Sequence, residues 1–195
     1  MRNAKRASII AMAWIGLIAI PSASASAANS ASFVKADTST VGNWIGTYGA
    51  DGYNVSQDAS IKTPAYAQIN LSNYANFLWA ASSGSSNSLQ RPENPSSRIA
   101  GTWYSRSSFF IDVNLTDGNP HQVSLYALDY DSTVRAETIN VRDAATNAIL
   151  DSRTVAAGTN FHKGEYLVWN ILGHVKYEII VTAGSNAVIS GIFFK

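Results

Sequence analysis

Apolar and polar residues alternate along several segments of this chain of 195 residues. In residues 109–115 every second position is apolar, and the polar residues Asp112 and Asn114 stand between them. Successive side chains of a β-strand point to opposite faces, so a period of two predicts a strand with one buried face. Residues 122–127 resume the alternation after the turn-forming residues 116–120. The two segments together predict a β-hairpin.

The same alternation predicts β-structure over most of the chain. Residues 175–179 alternate in the same way, and residues 187–194 are apolar at nearly every position, which predicts a central strand covered on both faces. No segment of a dozen residues keeps the apolar spacing of a helix. Further strands are predicted at residues 33–36, 43–46, 53–56, 66–71, 74–80, 98–103, 137–142, 149–155 and 166–171.

Many short strands separated by turn residues are typical of a sandwich or a barrel. Antiparallel hairpins mix here with long connections, which favours an all-β fold, an antiparallel β-sandwich of jelly-roll-like form. The longest predicted connection, residues 82–97, is rich in Ser and Asn and contains Pro92 and Pro95. Connections of this length are uncommon and are usually functional or mobile.

The N-terminus has the three-part pattern of a secretion signal. Arg2, Lys5 and Arg6 precede an apolar run, and small residues with cleavage positions after Ala25 or Ala27 follow it. As a helix the apolar run 7–20 would span only about 21 Å, short of the ~30 Å of a bilayer core, which disfavours a membrane anchor. We therefore expect a signal peptide at 1–27, a short tail at 28–32 and one domain at 33–195. The protein is expected to be secreted, extracellular or periplasmic, without membrane insertion.

Charge and cysteine content exclude several classes of function. Residues 1–27 hold three of the 14 basic residues and none of the 13 acidic ones, which leaves 11 basic against 13 acidic residues, a formal charge of −2. A nucleic-acid-binding protein needs a basic patch, so no nucleic-acid partner is expected. The chain has no cysteine, which excludes thiolate catalysis, cysteine zinc sites and disulfides.

No catalytic motif stands out. The chain lacks the Gly-x-Ser-x-Gly sequence that a sharp-turn serine hydrolase requires. The histidines, His121, His162 and His174, follow no metal-binding spacing, and the first and last are expected at exposed strand ends. No enzyme activity and no cofactor are therefore predicted.

Asp129 and Asp131 are the carboxylates that leave alternatives open. They stand where a predicted strand runs into a loop, and they could satisfy their own turn backbone or pair with Arg135. A structural calcium ion is a further alternative, although two aspartates supply only part of its six to eight oxygen ligands. A glycosidase acid–base pair is the last alternative.

The hypothesis that this protein binds a ligand rests on its aromatic residues. Trp79, Trp169, Phe193 and Phe194 stand in apolar segments and are expected in the core. The segment 43–54 instead mixes aromatic rings and glycines with polar residues, so its rings are expected near a loop. Glycines beside aromatics can equally let a strand bend under a core ring.

A flat ring beside Asp or Asn suits a sugar, which presents apolar C–H faces flanked by hydroxyls. Residues 103–106 form a second cluster of aromatic and polar side chains. The predicted ligand-binding residues are Trp44, Tyr48, Asp51, Tyr53, Asn54, Trp103, Tyr104 and Arg135.

Several segments together resemble a known kind of domain. Residues 42–54, 102–105 with 109–131, 149–155, 166–170 and 184–194 are similar to a β-sandwich domain of exported bacterial proteins, often found beside immunoglobulin-like or fibronectin type III-like modules. The resemblance covers residues 33–194. It implies, by analogy with carbohydrate-binding accessory modules, a non-catalytic lectin-like protein whose partner is a polysaccharide or glycan. The alternatives are a structural or adhesive envelope or matrix protein without a small ligand, and a polysaccharide-cleaving enzyme.

Overall fold

The computed structural model describes residues 28–195, so the predicted signal peptide lies outside the described residues. These residues form fifteen strands and one 3-10 helix, Asn160–Lys163. None of their helices is long and apolar enough to cross a membrane. The strands are β1 (Ser30–Asp37), β2 (Gly52–Val55), β3 (Ile61–Lys62), β4 (Ala67–Ser72), β5 (Ala75–Ala80), β6 (Leu89–Arg91), β7 (Asn94–Ser105), β8 (Ser108–Leu115), β9 (His121–Ala127), β10 (Ala136–Asp143), β11 (Ile149–Val155), β12 (Glu165–Leu172), β13 (His174–Ala183), β14 (Ala187–Ile189) and β15 (Gly191–Phe194).

The strands form three antiparallel sheets. A six-stranded sheet has the order β1-β12-β9-β15-β2-β3, and a five-stranded sheet has the order β11-β10-β13-β8-β4. The third sheet has the order β14-β7-β5, with β6 also paired to β7. The all-β, antiparallel sandwich of jelly-roll-like form is thereby confirmed.

The main core lies between the six-stranded and five-stranded sheets. Ile111 and Val175 from the five-stranded sheet belong to the same buried cluster as Leu125 and Trp169 from the six-stranded sheet. All four side chains are fully buried. The segments with alternating apolar residues therefore form two sheets, and the apolar faces of these sheets pack against each other. Trp169, Phe193 and Phe194 lie in the core as predicted, whereas Trp79 is only half-buried.

The predicted hairpin of residues 109–127 is wrong. β8 pairs with β4 and β13 in the five-stranded sheet, whereas β9 pairs with β12 and β15 in the six-stranded sheet. The intervening turn carries the chain across the core instead of folding β9 back beside β8. Alternation identifies the buried face of a strand but not the sheet to which the next strand belongs.

Three other expectations can be compared with the structure. The central position predicted for residues 187–194 is confirmed, since β15 lies between β9 and β2 and every residue from Ala187 to Phe194 is buried. The predicted strand at 43–46 is wrong, because residues 41–50 form turns with one isolated bridge. The predicted connection at 82–97 is shorter than expected, since β6 and the start of β7 pair within it.

Candidate functional site

The first predicted cluster, around Trp44, is a core rather than an exposed platform. Trp44 and Tyr48 are only 3% and 4% exposed. The Trp44 ring lies 4.9 Å from that of Tyr53 and 5.0 Å from that of Phe193, between centroids, and its Nε1 donates to the Gln90 carbonyl at 2.8 Å. Trp44 and Tyr48 do lie in a loop, as expected, but at this burial neither ring is available as an exposed platform for a ligand.

Gly49 explains how a polar loop buries an indole ring. Its φ is +71°, and a Cβ at this position would lie 2.7 Å from Trp44 Cζ3. Only a glycine gives both the left-handed backbone and the space that the ring occupies. The glycines of this segment thus let the loop fold beneath its aromatic residue, the alternative that the sequence left open.

Tyr48 is held in the core by a buried carboxylate. Its hydroxyl donates to Asp37 Oδ2 at 2.7 Å, and its ring stacks on Tyr166 at 4.3 Å. Burial opposes ionisation of Asp37, but hydrogen bonds from Tyr48, Thr40 and Ser39 outweigh it and hold the pKa of that carboxyl well below its usual range. Burial and the Asp37 charge raise the pKa of the Tyr48 hydroxyl. The pair links β1 to the 41–50 loop.

The polar residues predicted beside this loop do not converge on one site. Asp51 is exposed and accepts a hydrogen bond from the Tyr66 hydroxyl at 2.9 Å. Asn54 is half-buried and pairs with Ile61 of β3. A shallow depression lies over the loop, lined by Ile45, Tyr53 and Lys195 among others, but neither Asp51 nor Asn54 lines it.

Trp103 and Tyr104 are neighbours on β7 and therefore point to opposite faces of its sheet. Trp103 is 5% exposed and belongs to the main core, so its ring is not available at the surface for a ligand. Tyr104 is half-buried and lines a second depression. Arg135 and Asp131 line the same depression. The structure thus brings Tyr104 and Arg135 together, far from the Trp44 loop in sequence.

Three aromatic side chains that line this depression form a row with Tyr130 beside them; we call these four residues the ring row. Its members, in spatial order, are Tyr104, Phe77, Trp79 and Tyr130. The centroids of successive rings are 6.5, 6.1 and 5.6 Å apart. Phe77 is 50% exposed and the other three are half-buried.

Phe77 and Tyr130 are not among the ligand-binding residues predicted from the sequence, and Trp79 was expected in the core. The available signal was the spacing of Phe77 and Trp79, which places both rings on one face of β5. That signal alone does not distinguish a core face from an exposed face. β5 is an edge strand, paired only with β7, and its residues Ala75 to Leu78 are all exposed.

Polar side chains form the opposite side of the depression, and Arg135 is their centre. Arg135 is 7% exposed; its Nε donates to Asn186 Oδ1 at 2.6 Å and its Nη1 to Asp131 Oδ1 at 2.6 Å. Nη1 also donates to Asp129, which further accepts from Ser132 Oγ at 2.9 Å. Burial disfavours the charged guanidinium, but the bonds to Asp131 and Asp129 outweigh it and raise the pKa of Arg135.

The two aspartates therefore form the ion pair that was one of their predicted alternatives. A guanidinium group lies between them, where a bound calcium ion would need open oxygen ligands. Among residues 28–195 no three His, Cys, Asp or Glu side chains lie close enough to hold a metal ion. A metal role for Asp129 and Asp131 stays a prediction.

Two of the histidines lie at strand ends, as predicted, but both are half-buried rather than exposed. His121 and His174 are the first residues of β9 and β13. Their Nε2 atoms lie 2.9 Å from Asp117 and 2.7 Å from Asp112, respectively. Neither residue lines the depression beside the ring row.

Comparison with known proteins gives only distant likenesses. No family model and no curated protein matches the sequence. A family 35 carbohydrate binding module from Clostridium thermocellum is 11% identical with a TM-score of 0.39, covering 73% of this chain and 96% of that one. TmCBM61, solved in complex with β-1,4-galactotriose, is 12% identical with a TM-score of 0.31, covering 67% and 85%. The enzymatically active domain of tailspike protein 4 from bacteriophage CBA120 is 11% identical with a TM-score of 0.30, covering 67% and 18%. At these values the chain is not assigned to the family of any of these proteins.

Proposed function

We propose that this protein is exported and that its sandwich binds a polysaccharide chain at the ring row, without catalysis. The observation that carries the proposal is a row of four neighbouring aromatic rings, one exposed and three half-buried, of which three line one depression together with polar side chains. Exposed apolar patches rimmed by polar residues mark binding sites in soluble proteins. A sugar ring offers the matching chemistry, because its C–H face can cover an aromatic ring while its hydroxyls reach the polar side chains.

The polar wall provides donors and acceptors of the required kind. Asn186 and Ser185 line the depression together with Thr102 and Asp131. Asp131 keeps 48% of its side chain exposed although it is bound to Arg135. A hydroxyl group of a sugar can therefore bond to Asp131 without separating the ion pair. Sites with an apolar floor and a few placed polar groups are typical of small-molecule binding.

The angles between the rings favour a single polysaccharide chain over the flat face of a crystalline polymer. Phe77 meets Tyr104 at 89° and Trp79 at 72°, and Trp79 meets Tyr130 at 33°. A flat polymer surface needs rings that share one plane. Rings at these angles instead offer separate faces to successive sugars of a soluble chain.

The carboxylates of the depression support a binding role rather than hydrolysis. A glycosidase needs an acid and a second carboxylate that are free to exchange protons or attack the sugar. Asp129 and Asp131 are both bound to the Nη1 of Arg135, and Asp129 is 1% exposed. The guanidinium occupies an oxygen of each carboxylate, so neither group is free for the proton transfer or attack that hydrolysis needs.

The test is to replace Phe77 by Ala and measure retention on immobilised soluble polysaccharides. Retention should be lost, because Phe77 is the most exposed ring of the row. The melting temperature should change little, since exposed substitutions usually alter stability by less than ~0.5 kcal/mol. Ile149→Ala is the matched control: Ile149 is 53% exposed on β11, outside the depression.

Loss of retention in both variants would point to non-specific adsorption and contradict the proposal. Unchanged retention in a stable Phe77→Ala protein would also contradict it. Trp79→Ala provides a second variant in the same row, and its retention should fall in parallel with that of Phe77→Ala. Binding to the polymer should leave its chain length unchanged on gel filtration, since no cleavage is proposed.

One observation favours the structural or adhesive alternative. Residues 63–90 contain no Asp, Glu, Lys or Arg, and this segment includes the whole edge strand β5. Natural edge strands are often protected from pairing with other chains by charged residues. If β5 served self-association, Phe77→Ala would lower the oligomer mass measured by light scattering and would leave polysaccharide retention unaltered.

A further inference from the structure

The ring row has a charged residue at the end occupied by Tyr104. Arg106 follows β7 in the turn to β8 and is exposed. It lines the depression described above and also a second hollow on the other side of Tyr104, formed with Tyr74 and Asn73. Its guanidinium is therefore close to any ligand that binds at the Tyr104 end of the ring row.

The charge of Arg106 is not neutralised within the structure. None of the ion pairs within residues 28–195 includes Arg106. Arg135, the other cation of the depression, is instead bound to both Asp129 and Asp131. β5 can supply no carboxylate, because residues 63–90 are uncharged. Of the two arginines that line the depression, Arg135 is therefore bound to protein carboxylates, whereas Arg106 forms no ion pair within residues 28–195.

Resting on the proposed function, we propose that Arg106 makes the ring row selective for polysaccharides that carry an anionic group, a carboxylate or a sulfate. A guanidinium binds both groups through two parallel N–H donors in a plane. A charged substituent on the sugar at Tyr104 would lie within reach of this fork while the sugar ring covers the aromatic face. The anion would then be bound without desolvating a buried charge.

The test uses two matched pairs of polymers, with the wild-type protein as the reference. Polygalacturonate is compared with its methyl ester, and dextran sulfate with dextran, so that the two members of each pair share a sugar backbone and only one of them carries the anionic group. Wild type should bind at least one charged polymer about tenfold more tightly than its neutral partner, as expected for a hydrogen-bonded charged group. Whichever pair shows the difference identifies carboxylate or sulfate as the recognised group.

Arg106→Gln should reduce affinity for the charged polymer to that of its neutral partner, with no change in melting temperature. Arg106→Lys should keep part of the preference, because the charge stays and the planar fork is lost. Lys35→Gln is the control: it removes one positive charge at a site where Lys35 faces Asp37 and Tyr48. A general electrostatic effect would lower affinity in both glutamine variants and would overturn the proposal.

The experiments distinguish a loss of selectivity for anionic polymers from a loss of polysaccharide binding itself. If wild type binds charged and neutral polymers equally and Phe77→Ala still abolishes binding, the ring row is a site and the selectivity is refuted. If Arg106→Gln keeps the full preference for the charged polymer, the selectivity resides elsewhere and Arg106 is excluded. If wild type binds none of the four polymers, or Phe77→Ala binds them as wild type does, both proposals fail.

Discussion

Glu137 of β10 is a buried carboxyl group whose ionisation opposes folding. The side chain is fully buried, its Oε2 accepts the Val188 N–H at 2.7 Å, and its Oε1 finds no hydrogen-bond partner among the described residues. Burial raises the pKa of Glu137 to about 8, although the bond from Val188 opposes the shift. The group therefore keeps its proton in the folded protein at neutral pH.

This raised pKa makes stability fall as the pH rises. Below pH 4.5, the ordinary value for Glu, the carboxyl is protonated in both states and adds no pH dependence. Above it, the unfolded chain releases the proton while the folded protein keeps it, so the free energy of unfolding decreases by about 1.4 kcal/mol per pH unit. The decrease continues to the folded pKa and amounts to about 3 kcal/mol at pH 7 and about 4 kcal/mol at pH 8.

Glu137→Gln removes this cost and keeps the hydrogen bond. The amide oxygen can accept from Val188, and the amide NH₂ resembles the hydroxyl of the protonated acid in size. We expect the variant to melt ~10 °C or more above wild type at pH 8 but only ~2 °C above it at pH 5, at about 2–4 °C per kcal/mol. Thermal unfolding followed by circular dichroism across this pH range measures the difference.

If the melting temperatures of wild type and Glu137→Gln changed with pH in the same way, the reasoning would be refuted. Glu137 would then have the same charge in the folded and unfolded states. A variant less stable than wild type at every pH would also refute it, by showing that the carboxylate is ionised and needed in the fold. Glu93→Gln is the control: the same change at an exposed residue should leave the pH dependence of unfolding unaltered.

Three further predictions test the interpretation of Trp44 and of the aspartates bound to Arg135. Trp44→Ala should lower the free energy of unfolding, measured with urea, by about 3–5 kcal/mol, because a core ring is removed. A decrease below ~0.5 kcal/mol would instead indicate that Trp44 lies at the surface. Arg135→Met should destabilise by about 3–5 kcal/mol, because Asp129 is then buried without its partner. EDTA should leave the wild-type melting temperature unchanged, because a guanidinium holds both aspartates; a lower melting temperature in EDTA would indicate a metal there.

The strand segments and the burial of their faces follow from the sequence because they depend on local pattern. The segment 149–155 was predicted with the bounds of β11, and the apolar segment 187–194 was predicted as central before its neighbours were known. Alternation is a property of a single strand, and a run that is apolar on both faces must be covered on both faces. These inferences need no knowledge of distant residues.

The pairing of strands depended on the tertiary structure. Residues 109–115 and 122–127 have the pattern of a hairpin, yet they become β8 and β9 of opposing sheets. Both arrangements bury the same apolar residues, so the pattern fits either one equally well. The choice is made by β13, which pairs with β8 from 60 to 72 residues further along the chain, and by β12, which pairs with β9 from 38 to 50 residues further along.

The exposure of each aromatic ring was decided in the same way. Trp44 lies in a polar segment but is covered by Tyr53 and Phe193, whereas Phe77 lies in an apolar segment but has no layer over it. The ring row joins β5, β7 and the loop after β9; the polar side of the depression takes Arg135 from that same loop and Asn186 from the loop between β13 and β14. A residue's own neighbours in sequence determine which face of a strand it occupies. Whether that face meets water or another sheet is determined by elements distant in the chain, because burial is a property of the packed structure.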